Sequence, residues 1–142
     1  MTANQMVTIA REQVDAFNDG DWKKMRGQLA ADSRYHELGS QRKVKGSKEI
    51  VELFQDWKKA FPDATGKVTS ALGSGNKVAL EVIWKGTQTG PLGGPKGAIP
   101  PSGKQQVTPA ALFFTFQGNK IKESHQYFDS MTLLQQIGAL PK

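Results

Sequence analysis

Between Ala60 and Val68 the spacing of apolar residues changes from helical to twofold, and that change constrains the fold more than any motif does. Before it, Met6, Ile9, Ala10, Gln13, Val14 and Phe17 draw one stripe along a helix of about four turns. Gly20 stops that helix. Asp21 is an N-cap residue for a second, short helix with Trp22, Met25 and Leu29 on one face, ending near Ala31-Asp32. Arg34 to Leu38 reads as a short strand, and Gly39 to Gly46 as a basic loop. Ser47 is expected to cap a third helix, with Glu49 in the first turn, where the helix dipole favours negative charge. Its stripe is Ile50, Leu53, Phe54, Trp57 and Phe61, and Pro62 breaks it.

After the break, Val68, Ser70 and Leu72 alternate with charged or small residues, and Gly73 to Asn76 is a turn. Lys77 to Thr89 predicts a long strand with Val78, Leu80, Val82, Trp84, Gly86 and Gln88 on one face. The Gly/Pro-rich segment Gly90 to Gly103 reads as a loop without regular structure. Lys104 to Phe116 is a second long strand, in which Pro109 implies an edge position or a bulge. Gly118-Asn119 is strong hairpin chemistry. Strict alternation from there puts Lys122, Ser124, Gln126 and Phe128 on one face, and Ile121, Glu123, His125, Tyr127 and Asp129 on the other. Met131, Leu134 and Ile137 return to helical spacing, with Asp129 as the N-cap and Gly138 as the stop. Helices followed by an antiparallel meander make an α+β fold of one domain, 1–142. A curved antiparallel sheet wrapped around the N-terminal helices would leave a cone with an apolar pocket, the usual form of a small-molecule site.

Composition narrows the partners. No cysteine is present, so disulfide and thiolate chemistry are excluded. No apolar run has the length of a membrane span, and the first residues lack a signal layout, which makes the cytoplasm the expected location. The net charge of +6 comes from scattered lysines and arginines without a nucleic-acid motif, so a solvated surface is expected rather than nucleic-acid binding. Two distant histidines do not make a metal-ligand set. No metal and no cofactor are expected.

Several segments in order resemble a known family. They are Tyr35 to Gly39, Lys45-Gly46-Ser47, Phe61-Pro62-Asp63, Gly86 to Gly90, Ile99 to Lys104, Gly118 to Ile121, and Tyr127-Phe128-Asp129 with Leu133 to Gly138. Together they are similar to the SnoaL-like polyketide cyclases, within the nuclear-transport-factor-2-like superfamily that includes ketosteroid isomerase. The resemblance implies an intramolecular aldol closure in which a carboxylate takes a proton from carbon and an apolar pocket stabilises the enolate. It places that carboxylate at position 126, which is Gln126 here; an amide donates hydrogen bonds but is no base. The family's strand histidine is replaced by Gln88, and Leu112 stands where relatives carry a pocket polar group.

The candidate catalytic residues are therefore His36, Gln126 and Asp129. His36 lies at a position resembling that of the ketosteroid isomerase base, and histidine is a residue type able to move a proton; otherwise it is a hydrogen-bonded histidine without chemistry. Asp129 is a base or, more simply, a helix cap. His125 and Asp129 are too far apart along a strand to pair, which puts His125 on the outer face or at a subunit interface. The candidate substrate-binding residues are Trp57, Trp84, Gln88, Leu112, Phe114 and Phe128. The expected partner is a small apolar carbonyl compound, and a homodimer through the outer sheet face is expected. An acid–base cyclase or isomerase, a non-catalytic ligand binder and an interaction module of the same fold all remain open.

Overall fold

The computed structural model describes residues 1–94 and 97–140. Helix α1 (Ala3–Asp19) opens on a reciprocal cap: the Gln5 N–H donates to the Thr2 hydroxyl, and the Thr2 N–H donates to the Gln5 side chain. It closes at Gly20 in the left-handed region, φ 68°. Met6, Ala10, Gln13, Val14 and Phe17 are buried, as the stripe requires.

Helix α2 (Trp22–Gly27) is shorter than its apolar spacing suggests. Leu29 belongs to strand β1 (Leu29–Glu37), which begins well before Arg34. Gly27 weakens the helix end, and the Ile121 N–H takes the Gln28 carbonyl at 2.9 Å, drawing the chain into the sheet. The expected basic loop contains strand β2 (Arg42–Lys45), paired antiparallel to β1. Its lysines suit a sheet edge, which must not invite another strand, and they hide the strand from a hydropathy reading. Helix α3 (Ser47–Ala60) has Gly46 as its N-cap, at φ 110° and with no side-chain cap bond. Ser47 is its first helical residue rather than its cap.

The meander follows: β3 (Thr65–Ser74), β4 (Lys77–Thr87), then two short strands β5 (Leu92–Gly94) and β6 (Gly97–Ile99), then β7 (Gln105–Gln117) and β8 (Lys120–Phe128). The β5–β6 hairpin gives the Gly/Pro segment more regular structure than its composition suggested, although Pro95 and Lys96 lie outside the described residues. Helix α4 (Ser130–Gln136) ends the described fold. The main sheet has six strands in the order β2-β1-β8-β7-β4-β3. The α+β reading holds, with one refinement: β1 pairs parallel to β8, so the sheet is mixed. The long excursion through α3 and the meander supplies the crossover a parallel pair needs.

Two local features decide which side chains face inward. Pro109 sits in a central strand, paired with Ile83 of β4. Its missing N–H points the same way as the Val107 N–H two residues earlier. On that side β8 has already ended, because its last ladder partner on β7 is Phe128 against Ala110. There the Gln136 side chain stands in for a strand, accepting from the Val107 N–H and donating to the Val107 carbonyl at 3.0 Å. Pro109 is thus at an edge within a central strand. The second feature is a bulge at Lys122, where Thr115 pairs with Glu123 but Phe116 pairs with Ile121. Ile121 and Ser124 both turn inward as a result, and strict alternation misplaced Ile121.

The helices cover the inner face. The outer face carries the exposed Ile83, Val107, Phe113 and Tyr127, with Phe113 and Tyr127 in an edge-to-face contact at 5.8 Å. Among the described residues no helix is long and apolar enough to cross a membrane.

Candidate functional site

Between the inner face and the helices lies a cavity of about 60 Å³. Its wall is mainly aromatic: Phe17 from α1, Phe54 and Trp57 from α3, Phe61 just beyond it, Trp84 from β4 and Phe128 from β8. Phe54, Trp57, Trp84 and Phe128 are each only partly buried, so the cavity reaches solvent between them. Two glycines make room for the rings. A Cβ at Gly66 would stand 2.5 Å from the Trp84 ring, and one at Gly39 would stand 2.5 Å from the Phe128 ring. The volume falls short of the roughly 300–1,000 Å³ of drug-sized sites, so a larger ligand would need the cavity walls to move.

Among the described residues, three polar side chains line the cavity, and none is ionisable: Gln106, Thr108 and Gln126. Thr108 donates to the Gln106 side-chain oxygen. Gln126 belongs to a longer chain of bonds. The Trp84 indole N–H donates to Gln126 Oε1 at 2.7 Å, and Gln126 Nε2 donates to the Tyr35 hydroxyl oxygen at 2.7 Å. The Tyr35 hydroxyl in turn donates to Glu37 Oε2 at 2.8 Å.

Glu37 ends this chain and is fully buried. It accepts from Ser40 Oγ at 2.6 Å, from Arg42 at 2.9 Å and from the Trp57 indole at 3.0 Å. Arg42 also lies over the Trp57 ring at 5.5 Å. A carboxylate removed from water is costly unless paired and hydrogen-bonded, and this one is both. Burial pushes the Tyr35 hydroxyl well above its ordinary value, and the negative charge of Glu37 adds to the shift. Tyr35 therefore stays protonated and keeps donating.

Of the residues expected at the site, Trp57, Trp84, Gln126 and Phe128 come together around the cavity. Leu112 and Phe114 lie deeper, in the packed core beneath it. Gln88 is fully buried away from the cavity, and its Nε2 donates to the Ile99 and Pro100 carbonyls at 3.3 and 3.2 Å. It fastens the Gly/Pro segment. His36 lies on the outer face, next to His125 in register, with ring centroids 5.9 Å apart. The parity of β1 explains this: Tyr35 and Glu37 point inward, so the histidine between them points out. Asp129 caps α4, accepting from the Thr132 N–H at 3.0 Å and from the Thr132 hydroxyl. Those bonds hold its carboxyl below the usual carboxylate range, the opposite of what a general base needs. Sequence reasoning missed Tyr35, Glu37, Gln106 and Thr108. The strand's own alternation was the available signal for Tyr35 and Glu37.

Set against models of known families, residues 7–137 match SnoaL-like polyketide cyclase. The chain belongs to the SnoaL-like polyketide cyclase family. A comparison with curated proteins finds no match. Among solved structures, a candidate SnoaL-like polyketide cyclase from Jannaschia sp. CCS1 superposes with a TM-score of 0.87 at 22% identity, over 98% of this chain and 95% of that one. AclR from Streptomyces galilaeus, described as a candidate hydroxylase, gives 0.83 at 23% identity over 99% and 89%. IdmH from Streptomyces antibioticus, described as a candidate polyketide cyclase, gives 0.78 at 23% identity over 94% and 99%. At such identities the likeness is one of fold. In this SnoaL-like chain the aromatic cavity is backed by the buried Tyr35–Glu37 pair, with an amide at position 126.

The pair has a pH signature. Below the ordinary tyrosine value of 10.0 the folded and unfolded chains both keep the Tyr35 proton. Above it the unfolded chain releases the proton first, so stability falls as pH rises towards the folded value, by up to about 1.4 kcal/mol per pH unit. Denaturant unfolding measured above pH 10 should show this slope in the wild type and lose that one-proton component in Tyr35→Phe. Equal slopes in the two proteins would contradict the burial of an un-ionised Tyr35.

Proposed function

We propose that this chain binds a small, flat, mainly apolar carbonyl compound of polyketide type between Trp57, Trp84 and Phe128, with Gln126 meeting the carbonyl. The observation that carries the reading is the character of the cavity: aromatic walls and, among the described residues, polar groups that are all uncharged. Such a site orients a ligand and polarises its carbonyl through preorganised dipoles. Membership of the family favours ring closure of the bound compound as the outcome. Among the described cavity-lining residues there is no side-chain base for the carbon proton. The chain's contribution to such a closure would then be folding the substrate into a near-attack shape and stabilising the enolate oxygen. A methylene between two carbonyls, acidified by both, is the kind of carbon acid that this suits. Binding without turnover is the second reading, favoured by the amide at position 126.

The two readings separate experimentally. With a β-dicarbonyl polyketide mimic, ligand shifts of the tryptophan indole signals should appear under either one, and faster cyclisation only under the first. Gln126→Leu should weaken binding about tenfold, the worth of one buried hydrogen bond. His36→Ala should change neither binding nor rate, because His36 faces away from the cavity. Loss of binding in His36→Ala, or full binding in Gln126→Leu, would overturn the proposed site.

The proposal includes a second copy of the chain covering the outer face, supported by the exposed Ile83, Val107, Phe113 and Tyr127 there. Sedimentation should give a dimer that Phe113→Glu dissociates, and a wild-type monomer would remove this part.

A further inference from the structure

The hydrogen-bond chain behind the cavity runs between two groups that each have only one sense. The Trp84 indole carries a donor and no acceptor. Glu37, paired with Arg42 and met by the Trp57 N–H, offers only acceptors. Everything between must run from the first to the second. Tyr35 spends its single proton on Glu37, so its oxygen can only accept from Gln126. The Trp84 N–H needs an acceptor, and Gln126 Oε1 is the one it meets. The amide, which could turn over elsewhere, is held with its nitrogen towards Tyr35 and its oxygen towards Trp84.

The consequence falls on the cavity. An amide nitrogen carries two N–H groups, and Tyr35 takes one. The other has no protein partner among the described residues, whereas the oxygen already accepts from Trp84. An orphaned buried N–H is costlier than a carbonyl oxygen with one bond already made. The neighbouring Gln106–Thr108 pair makes a useful contrast. Its hydroxyl both donates and accepts, so neither member is forced into one sense.

We infer that Glu37 is a positioning residue which, together with Trp84 at the far end, locks Gln126 as a hydrogen-bond donor to the cavity and so makes the site select ligands that present an acceptor. Glu37 itself never touches the ligand. This inference rests on the ligand-site reading above and names the class of group the site takes: a carbonyl or quinone oxygen rather than a hydroxyl or amine hydrogen. It also assigns a role to a buried charge that the resemblance to the family leaves unexplained.

The test uses two flat bicyclic probes of matched size, 1-indanone, which only accepts, and indole, which only donates. In the wild type, the Trp84 indole nitrogen should show a through-hydrogen-bond coupling to the Gln126 side-chain carbonyl carbon, which only the orientation with the oxygen towards Trp84 allows. NMR titration should show 1-indanone binding about tenfold tighter than indole, one hydrogen bond's difference. E37Q/W84F removes both single-sense ends and should bring the two affinities within about twofold. If that variant does not fold, E37Q alone should move the ratio at least threefold towards indole. Absence of that coupling, or an undiminished preference in the variants, would overturn the inference. A wild type that binds neither probe while the coupling is seen would sink the ligand-site reading and leave the lock established.

Discussion

A carboxylate at zero exposure needs several donors to be tolerated at all, and Glu37 draws them from its own strand, from the turn and edge strand after it, and from a facing helix. Tyr35 comes from its own strand, Ser40 and Arg42 from the turn and edge strand that follow, and Trp57 from the facing helix. Meeting one charge thus fixes β1, β2 and α3 relative to one another. Tyr35 then passes the constraint through Gln126 to Trp84, which carries it across β8 and β4 to the far side of the cavity. Breaking a buried ion pair by removing one partner typically costs about 3–5 kcal/mol, far more than a single apolar contact. The aromatic walls supply area, while the hydrogen-bond chain supplies direction.

That division explains how one fold serves different chemistries. The curved sheet and its helices make a hollow whose position is set by backbone topology. What the hollow does depends on a few inward positions of β1, β4, β7 and β8. Here those positions hold Tyr35, Glu37, Trp84, Gln106, Thr108 and Gln126. The two residues with ordinary acid–base credentials on the sequence, His36 and Asp129, are occupied elsewhere: one on the outer face, one capping a helix. A cavity rich in dipoles and poor in titratable groups is better suited to holding a developing oxyanion than to removing a proton.

Much of the architecture was legible because it rests on periodicity. The stripes of α1 and α3, the hairpin at Gly118-Asn119 and the cap at Asp129 follow from local chemistry that tertiary contacts did not override. The failures have physical causes. Ile121 was placed outward because a one-residue bulge is invisible to an alternating pattern. Strand β2 was hidden because edge strands are charged for protection. Analogy points His36 inward, whereas parity counted from the buried Tyr35 turns it outward. Glu37 is not legible as a core residue because a charged residue beside a basic loop reads as surface. Its partners Ser40, Arg42 and Trp57 converge only in three dimensions.

The order of the site depends on Tyr35 and Gln126 being energetically one unit rather than two neighbouring core residues. A double-mutant cycle in denaturant, with Tyr35→Phe, Gln126→Met and the double variant, measures that directly. Coupling of about 1 kcal/mol or more is expected, since either change alone strands the other partner. Stability losses that add within about 0.3–0.5 kcal/mol would contradict it.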